Sequence, residues 1–73
     1  MENKVKNIMS AVLSIDIELI NNNTSPESVE EWDSLKQMNL IVALEEEFEI
    51  EFEDEDIIEM MDYKSILKIL KNL

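Results

Sequence analysis

Few kinds of reactive side chain are available to this sequence. Its 73 residues contain no histidine and no cysteine. Neither an imidazole base nor a Ser–His or Cys–His nucleophilic pair can therefore be assembled. Disulfides and thiolate-bound zinc are excluded with them. Glycine is absent too, which removes every glycine-rich phosphate loop. What remains is a large set of carboxylates and a few hydroxyls. Asp54 and Asp56, among many acids, suggest a calcium loop, but the EF-hand spacing fails. Counted from Asp54, the sixth position is Glu59 where glycine is needed, and the twelfth is Ser65 where glutamate is needed. No metal site is expected. Of the six serines, Ser34 alone stands between an aspartate and a leucine, in Asp33-Ser34-Leu35, at the head of an apolar and acidic helical pattern. Taken alone, a serine there is most simply a helix N-cap.

The charge balance narrows the partners. Eighteen acids against six lysines, with no arginine, give a formal net charge of −12. Such a chain repels nucleic-acid phosphates and anionic lipid heads, and it is attracted to proteins with basic surfaces. Excess acid also keeps a small protein in solution. Here, however, the acids are concentrated: eleven of the eighteen fall between Glu45 and Asp62. A field that local points to recognition.

Several helices must position these groups. A chain of 73 residues makes one domain, 1–73, and buries only about 60 % of the surface its unfolded form exposes. Val5, Ile8, Met9, Val12 and Leu13 recur at helical spacing and predict a first helix from about Asn3 to Ser14. Ile15 to Asp33 is broken by Asn21-Asn22-Asn23 and Thr24-Ser25-Pro26, and reads as a long loop. One helical turn is expected there, with Ser25 as cap and Pro26 in first position. Ile15, Ile17, Leu19, Ile20, Val29 and Trp32 are expected to pin the loop to the core. A second helix runs from Ser34 or Leu35 to Phe48, capped by Asp33 or Ser34, with Gln37 placed to complete a box with Ser34. Glu49 to Glu53 alternates but has no partner strand, so it reads as an extended loop with Ile50 and Phe52 inward. Asp54 or Asp56 opens a short third helix, Ile57 to Met61. Asp62 caps the last one, whose apolar face carries Tyr63, Ile66, Leu67 and Leu70. The expected fold is all-α, a small four-helix bundle with a long first loop and a short third helix.

The second helix has two apolar faces. At about 100° per residue, Leu40, Ile41, Leu44 and Phe48 share one arc and read as core. Leu35, Met38 and Val42 gather on the opposite side, continued by Glu45, Glu46 and Glu49. A surface helix needs only one apolar stripe. The second, turning acidic, reads as a docking surface.

Asp33-Ser34-Leu35, the helix ending Ala43-Leu44-Glu45-Glu46-Glu47-Phe48, and the downstream Ile50-Glu51-Phe52 with Asp54-Glu55-Asp56 together resemble the acyl carrier protein family. The likeness extends to chain length, helix order and the long first loop. It implies that Ser34, flanked by Asp33 and Leu35, carries 4′-phosphopantetheine as a phosphodiester. The physics is compatible, because a helix N-terminus favours a phosphate. The missing cysteine fits too, since the reactive thiol belongs to the prosthetic group. The resemblance further implies modification by a phosphopantetheinyl transferase using coenzyme A and Mg²⁺. The cargo would be acyl or aminoacyl groups, held as thioesters and presented to loading and processing enzymes in fatty acid or specialised biosynthesis. Leu35, Met38, Val42, Glu45 and Glu46 would meet a basic, partly apolar patch on each partner.

Glu31, Trp32, Lys36 and Asn39 depart from the commonest family pattern, so a dedicated carrier for a specialised pathway is expected about as readily as a housekeeping fatty-acid carrier. The competing reading is an acidic adaptor or nucleic-acid mimic without a prosthetic group, which would need no modified serine. A monomer in the cytoplasm is expected, because no signal core is visible and the longest apolar run, Leu40–Leu44, cannot span a bilayer. The two Asn-x-Ser/Thr matches at Asn22 and Asn23 are then chance.

Overall fold

The spacing of Val5, Met9 and Leu13 folds as one buried stripe of a helix, α1 (Glu2–Leu13), in a computed structural model that describes residues 1–73. Three more helices follow: α2 (Ser34–Phe48), α3 (Asp54–Glu59) and α4 (Tyr63–Lys71). The fold is all-helical, a small bundle with a long first loop and a short third helix, as the sequence predicts. The radius of gyration is 10.9 Å, close to the roughly 11 Å expected of a folded chain this long.

A glycine-free chain must still end its helices. Ser14 (φ 58°) closes α1 and Glu49 (φ 54°) closes α2, both in the left-handed region, with N–H groups donating to the carbonyls of Ser10 and Glu45. Each side chain there costs about 1 kcal/mol relative to glycine. α1 therefore stops one residue earlier than expected.

The long loop differs from expectation in three ways. A turn of 3₁₀ helix forms at Ile17–Leu19. It leaves Ile17 and Leu19 exposed, while Ile20 and Trp32 are buried and Ile15 and Val29 half-buried. The expected turn at Pro26 is present, with Ser28 N–H and Val29 N–H both donating to the Ser25 carbonyl. Its side-chain contact runs the other way, however: Ser28 Oγ accepts from Ser25 N–H at 3.0 Å. Thr24, buried, fixes the loop to the bundle: its Oγ1 accepts from Asn21 N–H and donates to the Leu19 carbonyl, and its own carbonyl accepts from Tyr63 N–H. Phe52 is buried and Ile50 half-buried, as expected of the segment after α2.

α3 begins three residues before the expected Ile57, at Asp54, and ends at Glu59 rather than Met61. Asp54, Glu55 and Asp56 fill its first turn, where carboxylates favour a helix start, and Glu53 N–H donates to Asp56 Oδ2 at 3.2 Å. α4 starts where expected, with Asp62 Oδ1 accepting from Ser65 N–H at 2.7 Å. It buries Tyr63, Ile66, Leu67, Ile69 and Leu70 and ends on Lys68 and Lys71. One core of fifteen apolar residues joins all these pieces except α3, which packs Ile57 against its margin.

Tyr63 is the one imperfect core member. Its ring lies under Lys6 Nζ at 5.8 Å, but its buried hydroxyl has no hydrogen-bond partner. Burial, and secondarily the charge of Glu2, raise its pKa above the ordinary 10.0. The folded protein thus holds the phenol proton more tightly than the unfolded chain does. That stabilisation is complete below the unfolded pKa and is lost as pH rises through the higher folded value. Tyr63→Phe removes both the orphan group and the titration. It is expected to leave stability at neutral pH unchanged or raised by up to about 1 kcal/mol, and to reduce the loss of stability above about pH 10. Melting curves at neutral and alkaline pH check this; a variant that melts lower at neutral pH contradicts it.

Candidate functional site

The head of α2 is built so that one serine is left over. Asp33, in extended backbone, is the N-cap: its Oδ1 accepts from Lys36 N–H at 2.9 Å and its carbonyl accepts from Gln37 N–H at 2.8 Å. Ser34 is the first helical residue and is exposed. Its hydroxyl makes none of the chain's hydrogen bonds, and the N–H groups of Ser34 and Leu35 have no partner within the chain. Of the two capping candidates the sequence offers, Asp33 takes the role. Ser34 therefore presents a free hydroxyl beside two unpaired donors at the positive end of a fifteen-residue helix.

The box expected between Ser34 and Gln37 does not form. Gln37 Oε1 accepts from Trp32 Nε1–H at 2.6 Å, and Gln37 Nε2 donates to the Met60 carbonyl at 2.8 Å. The amide thus ties the end of the long loop to the α3–α4 connection. The carbonyl lies 23 residues along the chain, beyond the reach of any capping rule. Beside this contact is an open hollow of about 450 Å³ lined by Pro26, Trp32, Asp33, Ser34, Gln37, Met38, Met60 and Met61. Trp32 and Met60 form part of the core, whereas Met38 and Met61 are exposed. The aromatic directly before the triplet and the Met60-Met61 pair were the sequence signals for this hollow.

The second apolar face of α2 stays in solvent. Leu35, Met38 and Val42 are 69, 54 and 48 % exposed, whereas Leu40, Ile41 and Leu44 on the opposite face are buried. Glu46 is exposed and Glu45 half-buried. Glu45 has a structural task as well, because its Oε2 accepts from Phe52 N–H at 2.9 Å and holds the segment after α2. Ile58 on α3 is also exposed. The Ile57-Ile58 doublet was its signal, since a six-residue helix can turn only one of two neighbours inward.

The acids gather without countercharge. The single ion pair is Lys4–Glu47 at 3.9 Å, between exposed side chains, a contact that contributes well under 1 kcal/mol. No group of three or more acidic side chains is placed to hold a metal ion. The excess charge is then mutual repulsion, screened over about 10 Å at 0.1 M salt. Raising salt from millimolar to that level is expected to lift the melting temperature, and millimolar Mg²⁺ to lift it further. A melting temperature that is flat or falls over this range contradicts the repulsion account.

No helix is long and apolar enough to cross a membrane. A protein-family model described as a phosphopantetheine attachment site matches residues 3–73. An acyl carrier protein of Buchnera aphidicola subsp. Schizaphis graminum (strain Sg) is 48 % identical to this chain over 56 residues, which span 77 % of this chain and 71 % of that protein.

Proposed function

Because this chain belongs to the acyl carrier protein family, we propose that Ser34 is its attachment residue and the exposed face of α2 its docking surface. The protein is a carrier and not a catalyst, and its cofactor is 4′-phosphopantetheine. Residues 1–73 act as one carrier unit.

The observation that supports Ser34 is its exposed hydroxyl, left unbonded because Asp33 already caps the helix. Modification there takes no hydrogen bond from the fold. A phosphate on Ser34 Oγ would lie next to the N–H groups of Ser34 and Leu35 and at the favourable end of the helix dipole. In forming the phosphodiester, Ser34 Oγ attacks the pantetheine phosphorus of coenzyme A and the pyrophosphate bond breaks. The 3′,5′-ADP portion leaves, and the hydroxyl proton passes to a base on the transferase. Once attached, the group supplies a thiol on which an acyl or aminoacyl unit is held as a thioester. The chain itself anchors the arm, offers the apolar hollow beside its root, and raises the effective concentration of the cargo at a docked enzyme.

Docking rests on the ridge of Leu35, Met38 and Val42 with Glu45 and Glu46. An apolar strip edged by carboxylates fits enzymes whose patches are apolar and basic, and the charge accelerates encounter. The partners are a phosphopantetheinyl transferase and the loading and processing enzymes of a fatty acid or specialised biosynthetic route. The carrier works as a monomer in the cytoplasm, where coenzyme A meets it.

Incubation with coenzyme A, Mg²⁺ and a broad-range transferase tests the proposal. The intact mass is expected to rise by one phosphopantetheine. An unchanged mass, with the same transferase active on another carrier, returns the chain to the acidic-adaptor reading.

A further inference from the structure

In a chain of eighteen acids, residues 63–73 carry none, and they hold three of its six lysines. Lys64, Lys68 and Lys71 fall at i, i+4 and i+7 of α4 and share one exposed face of it. With Asn22 of the long loop and Asn72 they line a hollow of about 540 Å³ over the buried Leu67. Glu2 is the only acid on its wall. No carboxylate pairs with any of the three ammonium groups, since the single ion pair of the chain is Lys4–Glu47. Helix stability accounts for part of this arrangement. Lys68 and Lys71 complement the negative end of the α4 dipole, but Lys64, the second residue of the helix, stands at the positive end and opposes it. A local surplus of positive charge is thus kept in a protein of net charge −12.

We infer that this face of α4 is a second docking surface, opposite in sign to the ridge of α2, and that its occupant is an acidic helical segment of a partner protein. None of the residues around this hollow belongs to the ridge or to the surroundings of Ser34. Spacing selects the occupant. Lys64 and Lys71 are about 10.5 Å apart along the helix axis, too far for one phosphate to reach both. A helix with acids at the same i, i+4 and i+7 interval matches all three lysines, and the amides of Asn22 and Asn72 donate at its edges. Range selects against larger polyanions. The molecule measures only 26 × 22 × 19 Å, so a membrane or a nucleic acid seated on α4 spreads past the patch and meets the field of the acids between Glu45 and Asp62. A single helix covers the patch alone. At 0.1 M salt charges beyond about 10 Å are screened, and the local surplus governs the contact. In millimolar salt the net charge of −12 opposes it. A partner held at α4 leaves the α2 ridge open, which keeps the carrier concentrated near one protein while another docks.

The test uses the full chain, isotope-labelled for NMR, in about 0.1 M salt. It is titrated with an alanine-rich helical peptide of about 20 residues carrying three glutamates at i, i+4 and i+7. Amide shifts are expected along α4 and at Asn22, with none along the Leu35, Met38 and Val42 ridge. Lys64→Gln combined with Lys68→Gln is expected to weaken binding at least about fivefold. Lys4→Gln combined with Lys36→Gln lowers the net charge by as much, and is expected to leave the affinity within about twofold of wild type. Lys64 and Lys68 are exposed, so their loss is expected to leave the fold intact. If the paired change nonetheless loosens α4, Lys64→Gln alone carries the test, because it removes the cation that opposes the dipole. An absence of binding, shifts centred on α2, or equal weakening by the two double variants overturns the assignment. So does a surface that takes inorganic phosphate or phosphatidylserine vesicles as tightly as the peptide. Resonances of α4 that move with protein concentration alone also overturn it, since they mark a second copy of this chain as the occupant.

Discussion

Ser34→Ala is expected to abolish addition of phosphopantetheine while leaving the fold intact. The other five serines do not stand behind a capping aspartate at the start of a long helix. Ser10 Oγ donates to the Ile15 carbonyl, and Ser28 Oγ is tied to Ser25. Ser34 Oγ has no such partner and is exposed, so its loss removes no hydrogen bond, and stability is expected to stay within about 0.5 kcal/mol of wild type. Ser34→Thr keeps a hydroxyl at the position but adds a methyl group beside it, and is expected to be modified slowly or not at all. Intact mass after exhaustive incubation reads all three proteins. A Ser34→Ala protein that still gains the group places attachment elsewhere.

The second large effect separates the two faces of α2. Leu44 is fully buried, and Leu44→Lys would carry an ammonium into an apolar core without a partner. The cost is several kcal/mol, a large part of the 5–15 kcal/mol that holds a typical domain together, and the variant is expected to be unfolded. Met38, six residues earlier, is more than half exposed. Met38→Lys is expected to remain folded, within about 1 kcal/mol of wild type. It is also expected to be modified at least about tenfold more slowly, because the new charge faces a basic patch, at a cost of about 1.4 kcal/mol or more. Circular dichroism and the initial rate of modification give both answers. If Met38→Lys unfolds as Leu44→Lys does, the ridge is structural and not a docking surface.

The two faces of α2 were legible because a helix imposes a fixed angle between successive side chains. Leu40 and Leu44 fall on one side of the wheel and Met38 and Val42 on the other whatever they touch. The buried stripe of α4 was legible for the same reason, and its start because Asp62 has only one plausible use. The long loop had no such ruler. Ile17 and Leu19 are as apolar as Ile20, but a 3₁₀ turn points them outward, and aperiodic chain gives no sign of which residues will face in. At α3, the acids that read as a surface charge run are themselves the first helical turn, stabilised by the dipole they help to neutralise, so the helix begins earlier than its apolar residues suggest.

The site was legible in part. The triplet identified Ser34, but two capping candidates stood side by side, and only the observed bond from Lys36 N–H to Asp33 shows which one is left free. Gln37 was misassigned because a capping box is a local pattern that a long-range partner can override. The indole of Trp32 and the carbonyl of Met60 offer a neutral amide both an acceptor's and a donor's place, which Ser34 cannot. Glu45 was read only as surface charge, and its bond to Phe52 N–H depends on how the chain turns after Glu49, a left-handed residue that no glycine announced.

The central claim is that the carrier's arm is rooted on the serine that Asp33 leaves free. Its most direct test is proteolytic digestion of the modified protein followed by fragmentation mass spectrometry of the peptides. The expected result is a single modified peptide containing Trp32-Asp33-Ser34-Leu35, with fragment ions that place the phosphopantetheine on Ser34. The added group on any other serine, or on Thr24, contradicts the claim.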